Sequence, residues 1–123
     1  LNQTRDAIVA AGGNSPKGVR PPGGKINDAS KAVLAKAGMP SIVWSVDTLD
    51  WKTRNAQKTI DTVLSQVKDG DIVLMHDLYE QSAIAAETLI PELTKRGYQL
   101  VTVSEMAELR GGIAAGHSYG HFR

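Results

Sequence analysis

A histidine at the end of a short apolar run is the first residue in this chain able to do chemistry. Ile72-Val73-Leu74-Met75 leads straight into His76-Asp77. An imidazole titrates near neutral pH and can give a proton to a leaving group. The simpler alternative is a half-buried histidine bonded to a backbone group. Asp47 and Asp50 lie three residues apart, with Trp51 beside the second. A carboxylate next to a histidine favours its charged form and orients its ring. Otherwise one of the two caps a turn and the other faces water. The indole can stack on a sugar ring or line an apolar pocket. Arg20 precedes Pro21-Pro22-Gly23-Gly24, a stiff arm that suits a bidentate bond to a carboxylate. Its plain reading is a surface arginine at a rigid turn. Gly23 or Gly24 could offer a backbone N–H to a developing oxyanion. His117 and His121, four apart, would share a helix face fit for zinc. Their Gly- and Ala-rich surroundings favour a tail with two incidental histidines.

These residues need elements to carry them. An amphipathic helix ends near Ala11, stopped by Gly12-Gly13-Asn14-Ser15-Pro16. Gly18-Val19-Arg20 is a short extended piece. Asn27 or Asp28 can cap a helix to Ala37, with Val33, Leu34 and Ala37 inward. Ser41 to Val46 is strand-like. Asn55 can cap a helix whose Ile60, Val63, Leu64 and Val67 form an apolar stripe. Asp69-Gly70 ends it, and the strand from Ile72 to Met75 follows. Ser82 can cap a helix to Arg96, with Ala86, Leu89, Ile90 and Leu93 on one face and a kink or break at Pro91. Tyr98 to Val103 reads as a last strand, Ser104 to Arg110 as a last helix, and residues 111–123 as an extended tail. Strands separated by helices imply an α/β fold with a parallel sheet. The three polar clusters would then gather at strand ends, where α/β enzymes keep their sites.

Length and composition bound the reading. The 123 residues suffice for one domain, but not for a complete (β/α)8 barrel of about 250 residues. A net charge of +1 from scattered basic residues argues against nucleic acid as a partner. No apolar run approaches the roughly 20 residues of a membrane span. With no cysteine, disulfides and thiolate metal sites are excluded.

Three clusters in order resemble the polysaccharide deacetylases of carbohydrate esterase family four, the NodB-homology domain. Arg20-Pro21-Pro22-Gly23-Gly24 is similar to the family's Arg-Pro-Pro-Tyr-Gly motif, with Gly23 in place of the commoner Tyr. Asp47-Thr48-Leu49-Asp50-Trp51 matches Asp-x-x-Asp-Trp, and Leu74-Met75-His76 matches Leu-x-His. The family's Thr-Phe-Asp-Asp and first His-[Ser/Thr]-x-x-His motifs do not precede Arg20. His117-Ser118-Tyr119-Gly120-His121 fits the latter pattern, but at the wrong end. The resemblance therefore implies the C-terminal half of a distorted (β/α) barrel, with residues 1–110 as catalytic domain and 111–123 as Gly-rich tail.

It implies further a metal-dependent hydrolase that removes acetyl groups from N-acetylglucosamine-containing polysaccharide, peptidoglycan or chitin-like, at the cell surface or outside the cell. His76 would protonate the departing amine, Asp50 would orient His76, and Arg20 would hold a catalytic Asp outside this chain. Gly23 would supply an oxyanion N–H, and Trp51 and Leu74 would line the acetyl pocket; Asp47 is a further substrate-side candidate or a structural residue. A divalent metal, zinc by the resemblance, would take its ligands from an N-terminal half that is the chain's expected partner. Without that half, open edges predict poor solubility and no activity. Two alternatives remain: a non-catalytic carbohydrate-binding or degenerate α/β module, and an acetylxylan esterase.

Overall fold

The computed structural model describes all residues, Leu1 to Arg123. Backbone contacts divide it into two units: residues 1–42 with 113–119, and residues 43–112 with 120–123.

The first unit holds α1 (Asn2–Ala10), α2 (Asp28–Lys36), β1 (Ser41–Ile42) and β4 (Ser118–Tyr119). Asn27 caps α2, its side chain accepting from the Ser30 N–H at 2.8 Å. Leu34 is the buried residue of α2, whereas Val33, expected inward, is exposed. β1 pairs in parallel with β4, Ser41 opposite Ser118 and Ile42 opposite Tyr119. Val19 bridges Ser41 on the other side of β1. The stretch after Gly111 is therefore no loose extension. It supplies a strand here, and Phe122, in the second unit, is 6 % exposed with its N–H on Gly70 O at 2.7 Å.

The second unit holds β2 (Val46–Asp47), α3 (Asp50–Thr53), α4 (Ala56–Gln66), β3 (Val73–Leu74), α5 (Glu80–Lys95) and α6 (Val103–Leu109). Its core lies between α4 and α5, where Ile60 and Val63 meet Ala85, Leu89 and Leu93. Asn55 caps α4 by accepting from the Lys58 N–H at 3.0 Å. β2 pairs in parallel with β3, Val46 opposite Val73 and Asp47 opposite Leu74.

Several expectations need correction. The strand predicted from Ser41 to Val46 is two short strands with a break between them. The Ser45 and Val46 N–H groups both donate to Ile72 O, and the Ile72 N–H goes to Ser45 Oγ at 3.1 Å. A side chain has replaced a ladder partner, and two residues on one strand face one on the other, as in a bulge. Ser82 does not cap a helix: α5 begins at Glu80 and Ser82 is buried inside it. Ala85 faces the core where Ile90 was expected, and Ile90 is exposed. α5 runs through Pro91 unbroken. The missing N–H falls on an exposed stretch, where water can serve the freed carbonyl. Tyr98 to Thr102 forms no strand. The Tyr98 N–H instead closes the end of α5 on Leu93 O at 3.0 Å, with Gly97 at φ 92° in the left-handed position such an ending requires. α6 starts one residue early, because Thr102 and Glu105 form a reciprocal capping box.

Candidate functional site

Parallel pairing brings the carboxyl ends of β2 and β3 to one edge, the position where α/β folds place ligands. Past β2 the chain must turn inward at once. The Asp47 carboxylate accepts the Leu49 N–H at 3.0 Å. Leu49 adopts a left-handed conformation, φ 50°. Thr48, buried, donates its hydroxyl to Leu74 O at 2.8 Å and ties this turn to β3. Asp50 then enters the interior, 2 % exposed.

Four donors converge on the Asp50 carboxylate. Oδ1 accepts the Trp51 N–H at 3.0 Å and meets His76 Nδ1 at 2.8 Å. Oδ2 accepts the His76 N–H and the Ser82 hydroxyl, both at 2.6 Å. Burial pushes the Asp50 carboxyl up, but the bonds from Ser82 and from the His76 ring and backbone, with the His76 charge, outweigh it. The result lies below the usual 3.8. Asp50 is thus ionised and can only accept, so the proton on Nδ1 belongs to His76. Nε2 is left as the working nitrogen of a side chain 35 % exposed. One carboxylate thereby fixes both the backbone and the ring of the histidine.

Of the residues singled out in the sequence, the second unit brings together Asp50, His76, Trp51, Asp47 and Leu74. Trp51 is half-exposed, with its N–H on Asp50. Asp47 is exposed and holds the turn, so it is the turn-capping Asp, while Asp50 points inward and not to water. Leu74 is buried, 7 % exposed, with its carbonyl taken by Thr48. Arg20 and Gly23 belong to the first unit. Arg20 Nε donates to Ile42 O at 3.3 Å. Gly23 lies at φ 65° in a short 3-10 turn, Pro22–Gly24, closed by the Gly24 and Lys25 N–H groups on the Pro21 and Pro22 carbonyls.

Sequence reasoning missed Ser82, the fourth donor to Asp50, because a serine near a helix start reads as a cap. It also missed Tyr79 and Arg54. The Tyr79 ring stands edge-on to His76, 6.5 Å between centroids, and Arg54 lies over the same ring at 4.8 Å.

No group of three or more His, Cys, Asp or Glu side chains is placed to hold a metal ion. At the site itself the donor set is also wrong for one. Both Asp50 oxygens already accept two bonds each, and Nδ1 of His76 is occupied. The residues of this chain do not fit a metal centre.

The polysaccharide deacetylase family model matches residues 1–42. A peptidoglycan-N-acetylmuramic acid deacetylase, PdaC of Bacillus subtilis, is 44 % identical over 110 residues, 89 % of this chain and 23 % of that protein. A peptidoglycan-N-acetylglucosamine deacetylase, PgdA of Listeria monocytogenes, is 41 % identical over 104 residues, 85 % of this chain and 22 % of that protein. A deacetylase solved with substrate superposes with a TM-score of 0.88 at 36 % identity, covering 97 % of this chain and 58 % of the other. The chain thus spans about a quarter of the length of these curated relatives, by the 23 % and 22 % above. The matched solved domain shows the same fold over this chain, part of an α/β barrel.

Proposed function

Because the chain belongs to the polysaccharide deacetylase family, we propose that it works as part of a domain that removes N-acetyl groups from the amino sugars of peptidoglycan. The observation that carries this reading is the Asp50–His76 pair, held by two bonds to one carboxylate. Amide hydrolysis fails unless the departing amine is protonated, and an imidazole fixed through Nδ1, in a side chain 35 % exposed, can supply that proton from Nε2. Asp50 stabilises the positive charge and fixes the tautomer, and the Ser82 hydroxyl holds the second carboxylate oxygen. Proton transfer of this kind contributes about 10²- to 10⁴-fold to a rate.

The rest of the reading is carried by the resemblance. Arg20 is proposed to orient a catalytic carboxylate from another part of the domain. Gly23 is proposed to offer its backbone N–H to the oxyanion, and Trp51 and Leu74 to border the acetyl methyl. The metal implied by the resemblance, zinc, is proposed to take its ligands from the domain's N-terminal half, and no step here is routed through it. Peptidoglycan as substrate, in place of chitin, follows the curated relatives named above, and a cell-surface location follows from that polymer.

Acetate release from purified peptidoglycan tests the reading, using the domain with its natural flanking sequence. Release by the wild type, lost in His76→Ala with the fold retained, is the expected result. Near-full release by His76→Ala would remove His76 from the mechanism. No release by the wild type would favour a binding module instead.

A further inference from the structure

Arg54 ends α3 in the left-handed region, φ 44°. A side chain crowds the backbone there, and glycine would sit without strain. An arginine kept at such a position directs attention to what its side chain does. That side chain is steadied twice. Its Nε donates to Trp51 O at 3.4 Å, and its guanidinium lies over the Tyr79 ring at cation–π range, 4.8 Å from the centroid. The same ring meets His76 at 6.5 Å, with the planes at 67°. Tyr79 therefore stands between a guanidinium and the proposed proton donor. Asp77 and Glu80 flank Tyr79 in sequence and are exposed, yet the ion pairs of this chain leave Arg54 without an acidic partner. A held cation, unmatched by any carboxylate of its own, lies one ring away from His76.

We infer that Arg54, steadied on Tyr79, binds a carboxylate of the sugar whose N-acetyl nitrogen faces His76. The inference rests on the peptidoglycan reading above and narrows it. In a muramyl sugar the N-acetyl group and the lactyl ether stand on adjacent ring carbons, so a carboxylate follows the reacting nitrogen by a few bonds. In N-acetylglucosamine the same carbon carries a neutral hydroxyl. The substrate class is then an anionic amino sugar. The carboxylate comes either from the lactyl group or from a stem peptide attached to it.

Binding separates these cases without requiring turnover. N-acetylmuramic acid, N-acetylglucosamine and N-acetylmuramoyl dipeptide would be titrated into the domain with its natural flanking sequence, followed by NMR shifts of the Arg54 side chain and the His76 ring. The expected preference for at least one muramyl ligand over N-acetylglucosamine is about fivefold, the upper range for an exposed ion pair. It should shrink with added salt, vanish in Arg54→Gln and persist in part in Arg54→Lys. A preference shown by the dipeptide, whose lactyl carboxyl is an amide, and not by N-acetylmuramic acid assigns the contact to the stem; the converse assigns it to the lactyl group. Equal affinity of the wild type for N-acetylglucosamine and for both muramyl ligands, or an unchanged preference in a folded Arg54→Gln, would overturn the inference. A wild type that shows the preference but releases no acetate would leave this inference standing and remove the deacetylase reading. Acetate release without the preference would do the reverse.

Discussion

Asp50→Asn probes the site most sharply, because an amide has the same shape and the wrong donors. The carboxylate receives four donors, two on each oxygen, and its side chain is 2 % exposed. An Asn keeps one accepting oxygen and turns an NH2 toward the other pair. If the NH2 faces the Oδ2 side, Ser82 can rotate its hydroxyl to accept, but the His76 N–H cannot, and a backbone donor is stranded. If it faces the Oδ1 side, His76 can shift its proton from Nδ1 to Nε2 and accept, while the backbone N–H of Trp51, a half-exposed residue, turns to water. The second arrangement costs less and inverts the tautomer. Loss of charge-assisted bonds with one donor weakened costs about 2 kcal/mol. With a urea slope of about 1–2 kcal/mol/M, the midpoint falls by about 1–2 M. Urea unfolding followed by circular dichroism reads the first effect, and the 15N shifts of His76 read the second. Deacetylation by the domain should fall by about 10³-fold, because a neutral Nε2–H is a poor acid. An unchanged midpoint together with a proton still on Nδ1 would refute the reasoning.

Other outcomes follow from the same contacts. Ser82→Ala removes one donor from a buried charge and should cost about 1–3 kcal/mol in denaturant unfolding, and the Asp50 carboxyl should move up toward its ordinary range. Leu89→Ala in the α4–α5 core, at a side chain 3 % exposed, should cost about 2–5 kcal/mol; a loss well under 1 kcal/mol would mean that the two helices do not pack as described. Asp50 and Asp71 both titrate below 3.8 in the fold. For each, burial pushes up and is outweighed by bonds, from Ser82 and His76 for Asp50 and from Arg123, Lys68 and Ser45 for Asp71. Their stabilisation is therefore complete above 3.8 and is lost as pH falls through the lowered folded values. An acid titration of stability should be shallower in Asp50→Asn, and also in Arg123→Ala, which frees Asp71 from its pair at 2.8 Å; curves superposing on the wild type would exclude that origin.

Local chemistry was readable in the sequence, and distant chemistry was readable only through motifs. Asn27 and Asn55 cap their helices as expected because a cap is satisfied within three residues. The stripe of α4 puts Ile60 and Val63 into the core as its spacing implies. Ser82 was misread because its bond to Asp50 crosses 32 positions, whereas a helix cap is the local use of serine. Tyr98 to Val103 has strand-like residues, but a strand exists only with a partner, and here Tyr98 closes a helix instead. The pairing of Asp50 with His76 follows from the parallel register of β2 and β3, which no single segment encodes; only the Asp-x-x-Asp-Trp and Leu-x-His patterns pointed to it. The roles of Arg54 and Tyr79 had no signal in the sequence, since a left-handed arginine cannot be seen before the backbone is built.

The proton-donor role of His76 can be separated from any structural role by changing the leaving group. A departing sugar amine needs a proton, whereas 4-nitrophenolate leaves from 4-nitrophenyl acetate without one. In the domain with its natural flanking sequence, kcat/KM for both substrates would be compared between the wild type and a folded His76→Gln. The account predicts a loss of about 10²- to 10⁴-fold on the N-acetyl sugar polymer and little loss on the aryl ester. Equal losses on both substrates, or none on the polymer, would contradict it.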